Sequence, residues 1–335
     1  MNDFDVVPLA VYLERHIPEA DDTPQLKRIG GGQSNPSYFL TYPAARFVLR
    51  KKPAGVLLPS AHAIDREYRV QRALADTAVP VPRMRLYCED TSIIGTEFYV
   101  MDFVEGRVFG ECWLPDVPKE QRRAMFLGMA ETLAALHNLD YKARGLSDFG
   151  KTGDYYGRQI GRWTKQWEMS KTAPNADIDR LIPWLSSHVP KSVKTTINHG
   201  DFRIGNLMFD ERTGRVVAVL DWELATLGDP LADVAYSALA WRLSSDEYMG
   251  MRDKDPAELG IPSEQEYLAR YERLAPESGK CTAFHFVFAL FRLAVIFEGI
   301  AARAKGGTEA SENAAEVGKL SAPLARRAVE VIEQG

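Results

Sequence analysis

Cysteine is scarce in this sequence. Only Cys88, Cys112 and Cys281 occur among 335 residues, far apart and without CxxC spacing. A disulfide framework and a cysteine-built zinc site are thereby excluded as organising principles. Positive charge is not in excess either: 41 Lys and Arg face 46 Asp and Glu, a formal net charge of −5. That argues against a nucleic-acid binder working by phosphate neutralisation. No apolar run is unbroken, since the longest, Ala283 to Ile300, is interrupted by His285, Arg292 and Glu298. A buried core helix explains it better than a membrane span, so no membrane partner is expected. The N-terminal MNDFDVVPLAVYLERHIPEA is acidic and amphipathic, without the basic n-region and apolar core of a signal peptide. A cytoplasmic location is the expectation. Internal repeats and low-complexity linkers are lacking as well.

What is present is a 45% hydrophobic composition, enough for a large core. The length exceeds what one core comfortably fills, which favours two units. Residues 1–20 read as a helix, with Leu9, Tyr12, Leu13 and Ile17 on one face. QLKRIGGGQSNPSYFLTY gives two short strands around a glycine turn, AARFVLRKKP a third strand, and IDREYRVQRALADT a helix. MRLYCED and EFYVMDFV are two further strands. After Glu105-Gly106 the pattern turns helical, in QRRAMFLGMAETLAALHNLD, RQIGRWTKQWEM and most of the chain beyond Asp229. Strand signals return only in TTINHG, GNLMFD and VVAVLDW. The expectation is a small sheet-rich part followed by a larger helical part, joined near residues 102–106.

The densest polar cluster is His199-Gly200-Asp201-Phe202-Arg203-Ile204-Gly205-Asn206, followed by Asp221-Trp222-Glu223 at the end of the apolar run VVAVL. Two carboxylates and an amide oxygen delivered from strand ends make a hard, oxygen-only donor set. Such a set suits Mg²⁺ bound together with substrate phosphates. Taken alone, each residue would sooner shape a turn or end a strand. Gly30, Gly31 and Gly32 fit a phosphate-covering turn, because glycine lets backbone N–H groups approach oxygen; an ordinary hairpin is the plainer alternative. No GK[ST] follows, so the turn is not a Walker A loop. Val48 and Arg50 share one strand face and Lys51 the other. Asp229 before Pro230 reads as a helix N-cap, Asp233 as a loop brace, and His137 and His199 as structural histidines.

HGDFRIGN with a later Asp at a strand end resembles the HGDxxxxN…D signature of the aminoglycoside phosphotransferase and choline kinase superfamily. That group shares the protein-kinase-like fold. The stretches GGQSNPSYFL, VLRKKPAG, IDREYRV, GTEFYVMDFVEGR and LDWELATLGDPLADVAY are similar to one subgroup. It comprises the phosphotransferase-like proteins related to the N-terminal part of acyl-CoA dehydrogenase family members ten and eleven. The resemblance implies an α+β, protein-kinase-like two-lobe fold. An antiparallel-sheet, nucleotide-binding N-lobe would span 1–104, and a mainly helical, catalytic and acceptor-binding C-lobe 105–335. Flavin chemistry is not expected of this chain.

By the same resemblance Asp201 is the catalytic base, and Arg203 a cation for the transferred phosphoryl group, with a plain surface charge as its alternative. Asn206 and Asp221 hold Mg²⁺. Val48 roofs the adenine, and Arg50 meets the α- and β-phosphates where the family has lysine, with Glu67 as its partner. Gly30, Gly31, Gly32, Ser34 and Asn35 cover the phosphates, and Asp102 and Val104 offer backbone groups to adenine. The implied activity is transfer of a γ-phosphoryl group from ATP or GTP to a hydroxyl of a small molecule. Kinship implies a hydroxyacyl-CoA acceptor; the sequence's own hint is that Arg46, Lys51, Lys52, Arg158 and Arg162 would meet CoA phosphates if they lie at the cleft. An aminoglycoside-type or other small-molecule kinase, and a nucleotide-binding pseudokinase scaffold, are the competing readings. Oligomeric state is not legible.

Overall fold

The computed structural model describes residues 4–30, 35–53, 63–306 and 314–334. Its contacts divide the chain into two units: Met1–Gly106 with Val217–Glu223, and Arg107–Val216 with Leu224–Gly335. The single boundary after residue 104 read from the sequence does not foresee that Val217–Glu223 returns to the first unit.

The first unit opens with α1 (Val6–Glu14), capped by Asp5, whose side chain accepts from the Val7 amide. This helix is shorter than the 1–20 span read from the sequence, although Ile17 beyond it is still buried. Strands β1 (Gln25–Arg28), β2 (Ser37–Thr41) and β3 (Arg46–Lys51) follow. After helix α2 (Ile64–Leu74) come β4 (Met84–Cys88) and β5 (Phe98–Asp102). The five strands form one antiparallel sheet in the order β1-β2-β3-β5-β4. Leu9 and Leu13 of α1 pack with Tyr38, Leu40, Leu49, Phe98 and Val100 of the strands. That is the alternation expected when one sheet face is covered. Helix α2 buries Ile64, Val70 and Leu74 and, on the same face, the carboxylate of Glu67.

In the second unit α3 (Lys119–His137), α4 (Tyr155–Ser170) and α5 (Ala176–Ser187) come first. Helix α5 escapes the sequence reading because Pro183 sits inside it. Short strands β6 (Thr196–Asn198) and β7 (Leu207–Phe209) flank the polar loop, and the chain leaves the unit within β8 (Val216–Val219). It returns at β9 (Thr226–Gly228), which pairs with β6. The remainder is helical: α6 (Pro230–Ala238), α7 (Pro256–Leu259), α8 (Glu264–Leu274), α9 (Ala283–Lys305), α10 (Ala314–Gly318) and α11 (Ser321–Gln334).

Helix α9 is long and apolar enough to cross a membrane, yet it is largely buried among α4, α5, α6, α10 and α11. Each of its three polar interruptions has a partner inside the unit. His285 Nδ1 accepts from the Thr282 amide (3.0 Å), Arg292 Nη2 donates to the Gly200 carbonyl (2.6 Å), and Glu298 Oε1 accepts from the Thr172 amide (2.6 Å). Satisfied polar groups of this kind are what a protein core requires and what a lipid-facing helix would not offer.

Candidate active site

The loop from His199 to Asn206 is held chiefly by α6. Asp229 caps that helix, its carboxylate accepting from the Leu231 amide (3.0 Å), with Pro230 in the first turn. One turn on, the buried Asp233 accepts from the backbone amides of His199 (2.6 Å) and Gly200 (2.9 Å). Burial alone would push the Asp233 carboxyl up, but His137, His199 and the Gly200 amide hold it below the usual range. His199 in turn accepts the Asp201 amide on Nδ1 (3.1 Å). Gly200 lies at φ +86°, and a Cβ there would stand 2.6 Å from the Leu224 carbonyl oxygen. Only glycine fits that turn.

Around Asp201 three side chains converge. Asn206 Nδ2 donates to its Oδ2 (2.7 Å) and to its carbonyl (2.9 Å), Arg203 Nε stands 3.4 Å from Oδ2, and the Tyr236 hydroxyl donates to Oδ1. Burial, reinforced by the Asp201 charge, raises the Tyr236 phenol well above its ordinary value, so it stays protonated and donates. Beside this cluster lies a mostly apolar cavity of about 40 Å³ lined by Arg203, Ile204, Tyr236, Leu239, Tyr248 and Met249, among others.

A second cluster belongs to the first unit. Register places Arg50 opposite Tyr99, and both meet the buried Glu67 of α2. Arg50 Nε stands 2.8 Å from Glu67 Oε2, and Arg50 Nη2 donates to Asp221 Oδ1 (3.2 Å). Tyr99 donates to Glu67 Oε2 (3.1 Å) and Asn35 Nδ2 to Oε1 (2.6 Å). Burial pushes the Glu67 carboxyl up against the pull of Arg50 and these donors. Arg50 is held above its ordinary value, because Tyr99, Glu67 and Asp221 outweigh the opposing effect of burial. Asp221 itself sits at φ +61°. That left-handed conformation is uncommon outside glycine and tolerated best by Asp and Asn.

The site residues read from the sequence therefore fall into two groups, each described within its own unit. Asn35, Val48, Arg50, Glu67, Asp102, Val104 and Asp221 lie in the first unit; Asp201, Arg203 and Asn206 lie in the second. Val48 is buried on the strand face it shares with Arg50, and the Asp102 carboxylate is taken by Arg85 Nε (2.5 Å). Gly30 is exposed at the end of the described stretch, whereas Gly31, Gly32 and Ser34 lie outside the described residues. Tyr236 was not singled out by the sequence reading. Its signal is faint: a tyrosine three positions after Asp233 in an otherwise apolar helix.

Most of the basic residues named for CoA phosphates are otherwise engaged. Arg46 pairs with Glu105 (2.5 Å) and Lys52 with Glu97 (2.7 Å), Lys51 is buried, and Arg158 folds back onto the Lys151 carbonyl (2.7 Å).

A five-stranded antiparallel sheet unit and a mainly helical unit carrying an Asp–Asn loop define a kinase-like fold. A crystal structure of a candidate aminoglycoside phosphotransferase from Ralstonia eutropha matches with a TM-score of 0.90 and 40% identity, over 99% of both chains. Aminoglycoside phosphotransferase APH(4)-Ia, as a thermostable mutant in ternary complex with AMP-PNP and hygromycin B, shares the fold at 19% identity (TM-score 0.62, 96% of this chain and 98% of that one). The model of the APH phosphotransferase enzyme family matches residues 25–276, and the chain belongs to that family.

Among curated proteins it is 44% identical to acyl-CoA dehydrogenase family member 10 of Mus musculus, over 91% of this chain and 29% of that protein. It is 38% identical to family member 11 of Rattus norvegicus, over 98% of this chain and 43% of that one. The chain thus spans less than half the length of these relatives.

Proposed function

We propose that this phosphotransferase is an ATP-dependent small-molecule kinase, with Asp201 as its base. The observation that carries the reading is the convergence of Asn206, Arg203 and Tyr236 on the Asp201 carboxylate in a loop fixed by Asp233. The acceptor hydroxyl oxygen attacks the γ-phosphorus and its proton passes to Asp201. The bond from the γ-phosphorus to the bridging oxygen breaks, and its electron pair leaves with ADP. Arg203 faces the charge that grows on the transferred group.

Asn206 and Asp221 would hold Mg²⁺. The donors fit, being an amide and a carboxylate, the oxygen set this ion takes alongside phosphates. With its Nδ2 committed to Asp201, Asn206 keeps Oδ1 for the ion. When bound, the ion would neutralise phosphate charge. Arg50, held by Glu67, would meet the α- and β-phosphates of ATP or GTP, Val48 would roof the adenine, and the turn beginning at Gly30 would cover the phosphates, while the Asn35 amide is already given to Glu67. Asp102 and Val104 would offer backbone groups to the base.

For the acceptor, kinship with the acyl-CoA dehydrogenase relatives supports a hydroxyacyl-CoA. One observation favours a scaffold without turnover as the second reading: Arg50 replaces the family lysine and already neutralises Asp221. ADP release by the unaltered protein decides between them, and Asp201→Ala tests the base. Turnover of Mg·ATP with hydroxyacyl-CoAs or aminoglycosides, read as ADP release, should fall about 10³-fold or more while ATP binding persists. Wild-type turnover in that variant would refute the base. Mg²⁺-dependent nucleotide binding with no ADP release from the unaltered protein would favour the scaffold.

A further inference from the structure

Asp233 and Tyr236 are three positions apart on α6 and therefore share a face. They grip the same loop at two levels. Asp233 holds its backbone at His199 and Gly200, and Tyr236 holds the Asp201 side chain through Oδ1. The opposite oxygen, Oδ2, faces Asn206 Nδ2 (2.7 Å) and Arg203 Nε (3.4 Å). A carboxylate held on one oxygen alone pivots about its Cβ–Cγ bond. Donors on both oxygens fix its plane and leave a remaining lone pair with a set direction. Tyr236 is itself buried, and its ring faces the Arg292 guanidinium at 5.7 Å. Arg292 also ties α9 to the Gly200 carbonyl, so the hydroxyl projects from a doubly braced helix.

We propose that Tyr236 is a positioning residue for phosphoryl transfer, orienting the Asp201 carboxylate toward the acceptor hydroxyl without touching substrate. The inference rests on Asp201 being the base. Misplacing a catalytic group by about 1 Å costs on the order of 10²-fold in rate. Loss of this one hydrogen bond is therefore expected to fall on kcat and to spare nucleotide binding.

The test is Tyr236→Phe in the full chain, which keeps the packed ring. ADP release from Mg·ATP is measured with a 4-hydroxyacyl-CoA as acceptor and with water alone as acceptor, and Asp201→Ala runs alongside. The expected result is a fall in kcat of about 10- to 100-fold, with KM for ATP and the melting temperature unchanged. In the double variant, Tyr236→Phe should add no loss to that of Asp201→Ala. Wild-type kcat in Tyr236→Phe, or a loss shared with KM and melting temperature, overturns the positioning role while leaving Asp201 as base. Wild-type turnover in Asp201→Ala overturns the base reading, and this inference with it. A crystal structure of Tyr236→Phe with AMP-PNP gives a readout besides turnover. The Asp201 carboxylate should leave its present plane, and an unmoved carboxylate overturns the proposal.

Discussion

Arg50 Nη2 reaches Asp221 Oδ1 at 3.2 Å although 171 positions of sequence separate the two residues. The same guanidinium stands 2.8 Å from Glu67, whose side chain is 1% exposed against 17% for Arg50. Removing Arg50 would leave a buried carboxylate with its main counter-charge gone. Arg50→Met should destabilise the first unit by about 3 kcal/mol, the cost of breaking a buried pair from one side. Arg50→Lys should cost less, because the charge remains. Arg50→Met/Glu67→Leu should recover much of the loss. Denaturant midpoints check the series, and an Arg50→Met protein as stable as the wild type would show that the pair contributes nothing.

Gly200 joins the buried β6 segment to Asp201 in a left-handed turn, against the Leu224 backbone. In Gly200→Ala the new Cβ would meet a carbonyl oxygen that cannot swing away as a side chain would. The loop must shift, and with it the amide that Asp233 accepts. A loss of about 2 kcal/mol is expected from the strained φ and the contact together. Turnover should fall more steeply than stability. A variant with normal melting and normal turnover would contradict this account of the turn.

Glu266 ties α8 to α3 through Arg123, with Oε1 2.7 Å from Nη2 and Oε2 3.1 Å from Nη1, and accepts the Ser263 amide in a capping box (2.9 Å). The Arg123 hydrogen bond, with the Ser263 amide second, lowers its carboxyl from 4.5 to about 2. A depressed folded-state value contributes stability that is present above pH 4.5 and lost as pH falls toward 2. Glu266→Gln should therefore be less stable than the wild type at neutral pH, and the gap should close across that window. Helical circular dichroism in denaturant at several pH values measures it. A gap that stays constant through the window would show that the Glu266 charge is not its source.

Much of the first unit was legible because each strand and α2 signal their partner faces locally. Alternation in FVLR places Val48 and Arg50 together, and the 64, 70, 74 spacing marks the buried face of α2. The same spacing puts Glu67 on that face, where a local reading sees a charge and expects solvent. Helix α5 was not legible because Pro183 interrupts its pattern. The pairing of two CoA-phosphate cations was not legible for another reason: side-chain charge is visible in sequence, but its partner, Glu105 or Glu97, is not.

By itself the sequence determined most element types and the Asp201–Asn206 loop, since these depend on local periodicity and turn chemistry, and its motifs carried the resemblance to the family. Tertiary structure decided which polar groups are buried and what they face. It set Tyr236 on Asp201, Asp233 on the loop amides, Arg292 on the Gly200 carbonyl and Arg50 between Glu67 and Asp221. The physical reason is desolvation. A buried polar group must find a partner, and that partner is chosen by which surfaces pack together, often far along the chain.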